Sequence, residues 1–203
     1  MTSQYNELSG QNVGRLQTLA DGVFAVAMTL LVLDLRLPGA EATTNGELWD
    51  QLHELGPQFA AYLLSFTMLG TFWLAQHTFL ERCQRSDRTL AWATLIFLFF
   101  VSTLPFAAST LAEHTDLTLA VLLYWANLLG LGATLGWQVW HADRAGLVAD
   151  PDQLSLVRRR LLLAQSLYAV AAALSFLSPV AGIAGLALVQ LFFIVSPRLP
   201  VRT

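Results

Sequence analysis

Charge is what this sequence has least of. Asp, Glu, Lys and Arg make up only 12% of 203 residues, hydrophobic residues make up 55%, and mean hydropathy is +0.55. Soluble domains carry about 25% charged residues, so a soluble fold is excluded and an integral membrane protein is implied. Cysteine is nearly absent too. The single Cys83 excludes an intramolecular disulfide, and no Cys/His spacing resembles a metal site. Lysine is missing altogether, so every basic side chain is an arginine. No Gly-x-Ser-x-Gly, His-Glu-x-x-His or paired-aspartate arrangement occurs in the apolar runs, so no enzyme activity is expected. The first fourteen residues, "MTSQYNELSGQNVG", lack the basic start and apolar centre of a signal peptide, so the first apolar helix is expected to remain in the mature protein. The formal charge of -3 averages over two sides of a membrane and identifies no partner. Neither a cofactor nor a nucleic-acid partner is expected.

What the chain does have is long apolar runs. A spanning helix needs roughly 20 mostly apolar residues, and six stretches qualify as candidates, near residues 16–35, 57–76, 90–111, 117–140, 161–177 and 179–195. No segment alternates at the ten-residue spacing of a membrane barrel, so the expected fold is all-α, a single six-helix transmembrane domain over residues 1–203. The stretch "PGAEATTNGELWDQLHEL" between the first two spans ends in an amphipathic lead-in. Pro105 falls inside the third span, where it removes a backbone donor and is expected to kink the helix. Only "LSP" separates the fifth span from the sixth, which implies a tight helical hairpin turning at Pro179.

The charges are asymmetric. The second connection carries Arg82, Arg85 and Arg88, the fourth carries Arg144 and Arg158 to Arg160, and the tail carries Arg198 and Arg202. The first connection sets Arg36 against Glu41, Glu47, Asp50 and Glu54, and the third has Glu113 and Asp116 with no arginine. By the positive-inside rule, the even connections and both termini are expected in the cytoplasm, as an even number of spans requires. The expected location is the cell membrane, with lipid as a partner.

Polar residues within the spans are costly, by roughly 2.5–3.5 kcal/mol for a charge at mid-bilayer, so they face a partner or a cavity. They are Asp21, Thr29, His77, Asn127 and Gln138. On a helical wheel, Gly22, Val26, Thr29 and Leu33 form one narrow stripe that Thr18 and, if the helix extends that far, Arg15 and Arg36 continue, while Asp21 lies about 100° to one side. Two readings of the stripe are open: a helix-packing seam of small residues, or a pore lining in which valine and leucine rings form a constriction and threonine hydroxyls partly replace water around an ion.

The motif "RLQTLADGVFAVAMTLLVL", followed by "FWLAQHTFLERCQRSDRTL" and "FVSTLPFAAST", resembles the bacterial relatives of transmembrane protein 175, the lysosomal potassium channel. The likeness spans about Arg15 to Thr110; beyond it, the helices agree in number more than in motif. The resemblance implies a six-helix subunit assembled as a homotetramer, with a potassium-conducting pore lined by the first helix. It implies no P-loop filter, and no Thr-Val-Gly-Tyr-Gly occurs here. Carried over by position, the constriction is Val26, where the family usually has Ile or Leu, then Thr29 and Leu33. A polar network of Arg15, Asp21 and His77, with Trp73 nearby, is implied at the cytoplasmic end. The family's Phe-Ser-Asp triplet reads Leu19-Ala20-Asp21 here, so the serine hydroxyl is absent.

The expected function is a passive, potassium-preferring cation channel of modest selectivity. A secondary transporter is the alternative, although neither an inverted repeat nor a pair of Gly/Pro-broken helices is present; a non-conducting structural protein is another. Asp21 reads as a bracket orienting the helix, or as a group touching the permeating ion. His77 reads as a hydrogen-bond partner, since a lone histidine with no second ligand at helical spacing is seldom a metal site. Trp73 reads as a packing or interfacial side chain. The Arg158 to Arg160 run reads as a topology signal or as a contact for anionic lipid headgroups. The outer carboxylates read as a cation-attracting mouth or as an ordinary solvated loop.

Overall fold

The computed structural model describes residues 12–39, 42–149 and 152–195. Glu7, Glu41, Arg198 and Arg202 lie outside the described residues. Among those described there are seven α-helices and no strand beyond an isolated Cys83–Val148 bridge. They are α1 (Val13–Leu30), α2 (Asn45–Glu54), α3 (Gly56–Glu81), α4 (Arg88–Glu113), α5 (Thr118–Arg144), α6 (Asp152–Leu174) and α7 (Pro179–Val195). A 3-10 turn, Leu31–Asp34, continues α1.

Four helices are long and apolar enough to cross a membrane: α1 with its 3-10 turn, α3, α4 and α5. The other two candidates differ. Helix α7 is apolar but only 17 residues long. Helix α6 starts nine residues before the apolar run read at Leu161, because Arg158, Arg159 and Arg160 are good helix formers and the helix continues through them. It also stops at Leu174, where amides of residues 175–178 fold back onto carbonyls of the last turn before Pro179 starts α7. The α3 helix likewise outruns its apolar stretch, ending at Glu81. Helix α4 is continuous over Arg88–Glu113, with Pro105 buried inside it.

The amphipathic lead-in is a separate helix, α2, held by a capping box. Thr44 Oγ1 accepts from the Glu47 amide at 3.2 Å, and the Glu47 carboxylate accepts from the Thr43 amide at 2.7 Å and the Thr44 amide at 3.2 Å. The Thr43 amide, foremost among these donors, lowers the pKa of the Glu47 carboxyl from its ordinary value. A carboxyl whose folded value lies below its unfolded one adds its full stabilisation above the unfolded value and loses it as pH falls through the folded one. Protection of the Thr43 and Thr44 amides, measured against their intrinsic exchange rates, is therefore expected to fall only in acid, below the ordinary carboxylate range. Glu47→Gln is expected to remove that pH dependence.

The core sits where α4 packs along α5, with α1 laid across α4 and α3, and with α6 and α7 closing the far side. Its buried polar groups pair between helices. Gln76 and Thr94 donate to Gln138 Oε1 at 3.0 and 3.1 Å, and Ser65 meets Tyr124 at 3.2 Å. Asn127 donates to Thr103 at 2.8 Å, and Tyr168 donates to Gln190, which donates to Thr71. In lipid such pairs, together with small residues, hold helices together. The α6–α7 hairpin shows the second device. A Cβ on Gly182 would lie 2.7 Å from Ser175 Cβ and 3.1 Å from Val121 Cγ1, so only glycine permits the approach. Gly182→Ala is expected to cost about 1 kcal/mol, seen as a thermal midpoint lower by about 2–4 °C.

The connections sort by end. The Gln84 amide donates to the Leu147 carbonyl at 2.9 Å, and Asp87, which caps α4, lies 2.8 Å from His141 Nε2. The second and fourth connections thus share one end of the bundle. At the other end, the Thr118 hydroxyl donates to the Ser175 carbonyl at 3.0 Å, joining the third and fifth connections. The arginine-bearing connections are therefore neighbours.

Candidate functional site

Helix α1 has two unlike faces. Ala20, Phe24, Ala27 and Leu31 recur at the spacing of one helical ridge, and all four are buried. They pack on α3 and α4, with the Phe24 ring 6.0 Å from that of Phe97. Gly22 and Thr29 lie about 170° and Val26 about 130° from that ridge, and all three are exposed in the subunit, as is Thr18. The contrast is steep: Val26 is 57% exposed, whereas Phe24 and Ala27 are 1% exposed. Leu33 is 61% exposed, but it sits in the 3-10 turn. At about 120° per residue instead of 100°, that turn rotates Leu33 roughly 60° from its place on a regular α wheel.

The two threonines on this face are chemically primed in the same way. The Thr29 hydroxyl donates to the Ala25 and Val26 carbonyls, each at 2.9 Å, and the Thr18 hydroxyl donates to the Gly14 carbonyl at 2.9 Å. With the proton turned back onto the helix, each oxygen presents its lone pairs outward. Such an atom can accept from water or coordinate a cation; it does not favour an anion.

Asp21 occupies the flank between the two faces. Its Oδ1 accepts a 2.8 Å hydrogen bond from Trp73 Nε1 on α3. The Trp73 ring stacks on His77 with centroids 5.3 Å apart, and His77 Nε2 lies 3.2 Å from Glu81 Oε1. Residues 73, 77 and 81 recur at i, i+4 on α3, so one helix edge carries the whole series. The expected Arg15–Asp21–His77 cluster is thus arranged differently: among the described residues Trp73 holds Asp21, and neither Arg15 nor His77 bonds to it. Arg15 lies beside Thr18 and Leu19 in a shallow, open groove. Leu19 is exposed and Ala20 is buried, so a serine at the latter position would need a partner inside the subunit.

Asn127 and Gln138 lie away from the exposed face of α1, paired to Thr103 and to Gln76 and Thr94 within the bundle. Sequence reasoning missed Trp73 as the donor to Asp21, since the two are 52 positions apart and no spacing rule joins them. Among the described residues, no three His, Cys, Asp or Glu side chains gather into a metal-sized group.

Comparison with known proteins bears on this geometry. Residues 15–105, which take in α1 from Arg15 onward, Asp21 and Trp73, match the family model described as the endosomal/lysosomal potassium channel TMEM175. A potassium channel of Streptomyces collinus is 32% identical over 188 residues, covering 89% of this chain and 90% of that protein. A potassium channel of Chamaesiphon minutus is 30% identical over 173 residues, covering 81% and 85%. The crystal structure of a lysosomal potassium-selective channel TMEM175 homolog from Chamaesiphon minutus superimposes with a TM-score of 0.81 at 26% identity, covering 90% of this chain and 96% of that one. The family is one of ion channels, not of enzymes. With similarity running through nine-tenths of the sequence and the fold, this chain belongs to the TMEM175 channel family.

Proposed function

We propose that this chain is one subunit of a homotetrameric, potassium-preferring cation channel in which α1 of each subunit lines a central pore. The observation that carries the reading is the face of α1 that the subunit leaves open. Val26 and Thr29 are exposed on the side of α1 away from a fully buried ridge, Leu33 is exposed in the 3-10 turn that follows, and the family match covers α1 from Arg15 onward. Four copies around an axis turn that face inward. Val26 and Leu33 then form hydrophobic narrowings, and Thr29 forms a ring of outward lone pairs between them. A ring of hydroxyl oxygens supplies fewer and weaker ligands than a carbonyl-lined filter, so selectivity for potassium is modest.

Six helices cross the membrane in this reading. Helix α7, at 17 residues, covers about 25 Å and crosses with local thinning of the bilayer. The arginine-rich end, with both termini, lies in the cytoplasm. Asp21 braces α1 against Trp73 near that end and stays clear of the ion.

Potassium efflux from liposomes holding the pure protein, combined with its oligomeric mass in mild detergent, tests the reading on one sample. Efflux together with the mass of four subunits supports it. A well-folded monomer, or a tetramer that carries no monovalent cation, contradicts it.

A further inference from the structure

A crevice of about 570 Å³ opens between α3, α5, α6 and α7, on the side of the subunit away from α1. Its walls are Met68, Phe72, Leu135, Leu161 and Phe193, and Leu74 and Ile194, both exposed, sit at its rim among other outward apolar side chains. The volume falls within the range of pockets that enclose small ligands. Polar lining groups donate elsewhere: Thr71 to the Thr67 carbonyl, Gln165 to the Leu128 carbonyl and Tyr168 to Gln190. Thr78 also lines it, and Gln165 Oε1 is buried there without a hydrogen-bond partner among the described residues, so the crevice is mainly, not wholly, apolar.

Its charge is of one sign. Arg82 and Arg160 are the charged residues that line it, no carboxylate does, and among the described residues neither guanidinium has a salt-bridge partner. Arg160 lies over the Phe193 ring at 5.8 Å. Its two neighbours are turned elsewhere, Arg158 to Asp143 at 3.9 Å and Arg159 to a separate groove. Two unneutralised guanidiniums at one end of a mainly apolar slot, at the arginine-rich end of the bundle, complement a molecule with an anionic head and a hydrocarbon tail. We infer that this crevice is a binding site for an anionic phospholipid, whose phosphate lies between Arg82 and Arg160 and whose acyl chain runs along Leu135, Leu161 and Phe193. Basic pockets between membrane helices attract such headgroups by this chemistry. A free phosphate would gain the arginines but leave the apolar walls unused.

Native mass spectrometry of the full-length protein, titrated with phosphatidylglycerol or phosphatidylcholine, tests the site without reference to conduction. Wild type is expected to retain phosphatidylglycerol in preference to phosphatidylcholine. Arg82→Gln or Arg160→Gln is expected to weaken phosphatidylglycerol binding about fivefold, and the pair together about 30-fold. Ala164→Trp, which fills the slot and leaves both arginines, is expected to weaken it too, whereas Arg36→Gln at the other end is not. Equal retention of the two lipids by wild type overturns the proposal and needs no variant to fold. Unchanged binding in Ala164→Trp reduces the site to surface attraction and overturns it as well. Displacement by inorganic phosphate as effective as by phosphatidylglycerol assigns the arginines to a soluble anion instead. Since flux is not read, a protein that binds the lipid and conducts nothing counts against the channel reading alone.

Discussion

Val26→Trp is expected to lower potassium efflux through the reconstituted protein on the order of 100-fold, equivalent to roughly 2.7 kcal/mol of added barrier. Val26 lies on the open face of α1, about 130° around the helix from the ridge that fixes it to α3 and α4. A substitution there alters the space beside the helix without disturbing its packing. Around a four-fold axis each change appears four times at one level, so four indoles close a passage that four isopropyl groups leave open. Val26→Ala is expected to act in the opposite sense and to speed efflux by widening a hydrophobic gate that passes ions only when wetted. Val170 on α6 is similarly exposed and supplies the control. Val170→Trp is expected to leave efflux unchanged, because its surroundings are hydrocarbon in both forms.

Trp73→Ala is expected to destabilise the subunit by about 2–3 kcal/mol, less than the 3–5 kcal/mol of a fully buried aromatic, because Trp73 is only partly buried. The loss has two parts, the ring packed against the core and stacked on His77, and the indole N–H given to Asp21. Trp73→Phe separates them. It keeps a ring and loses the donor, and is expected to cost about 1 kcal/mol, between the average for membrane hydrogen bonds and that for bonds to charged groups. Asp21→Asn retains an acceptor oxygen, and its effect is expected to be smaller still. Thermal midpoints shift by about 2–4 °C per kcal/mol for a chain of this size, so the three variants can be ranked. A Trp73→Phe midpoint equal to that of wild type would remove the bond from the account of what orients α1.

The stripe on α1 was legible because an α-helix repeats every 3.6 residues, and Gly22, Val26 and Thr29 need nothing beyond that period to fall on one face. Leu33 was misplaced on the wheel for the same reason: the chain tightens to a 3-10 turn at Leu31, and no residue there announces it. The position of Asp21, off the stripe, could be read from the sequence; its partner could not. Trp73 and Asp21 meet because two helices pack antiparallel, a fact of tertiary structure that local spacing does not encode. The arginines show the same division. Their sum per connection orders the ends of the bundle, yet the separate fates of Arg158, paired to Asp143, and Arg160, turned over Phe193, depend on 100° steps around α6 and on what each step faces. Helix ends at Glu81 and Asp152 escaped the apolar-run reading because polar helix formers carry a helix past the hydrocarbon.

The central claim is that water and ions, rather than lipid, meet the open face of α1. Cysteine accessibility tests this most directly, in a Cys83→Ser background with single cysteines at Val26, Thr29 and Leu33 and a control at Leu188, which is exposed on α7. A thiolate attacks a small, charged, water-soluble thiol reagent, and thiolates form only where water reaches. The account predicts that the reagent modifies positions 26, 29 and 33 and blocks potassium efflux, while Leu188→Cys stays unmodified and efflux continues. Protection of all three α1 positions, matching that of Leu188→Cys, would place this face in lipid and contradict a pore lined by α1.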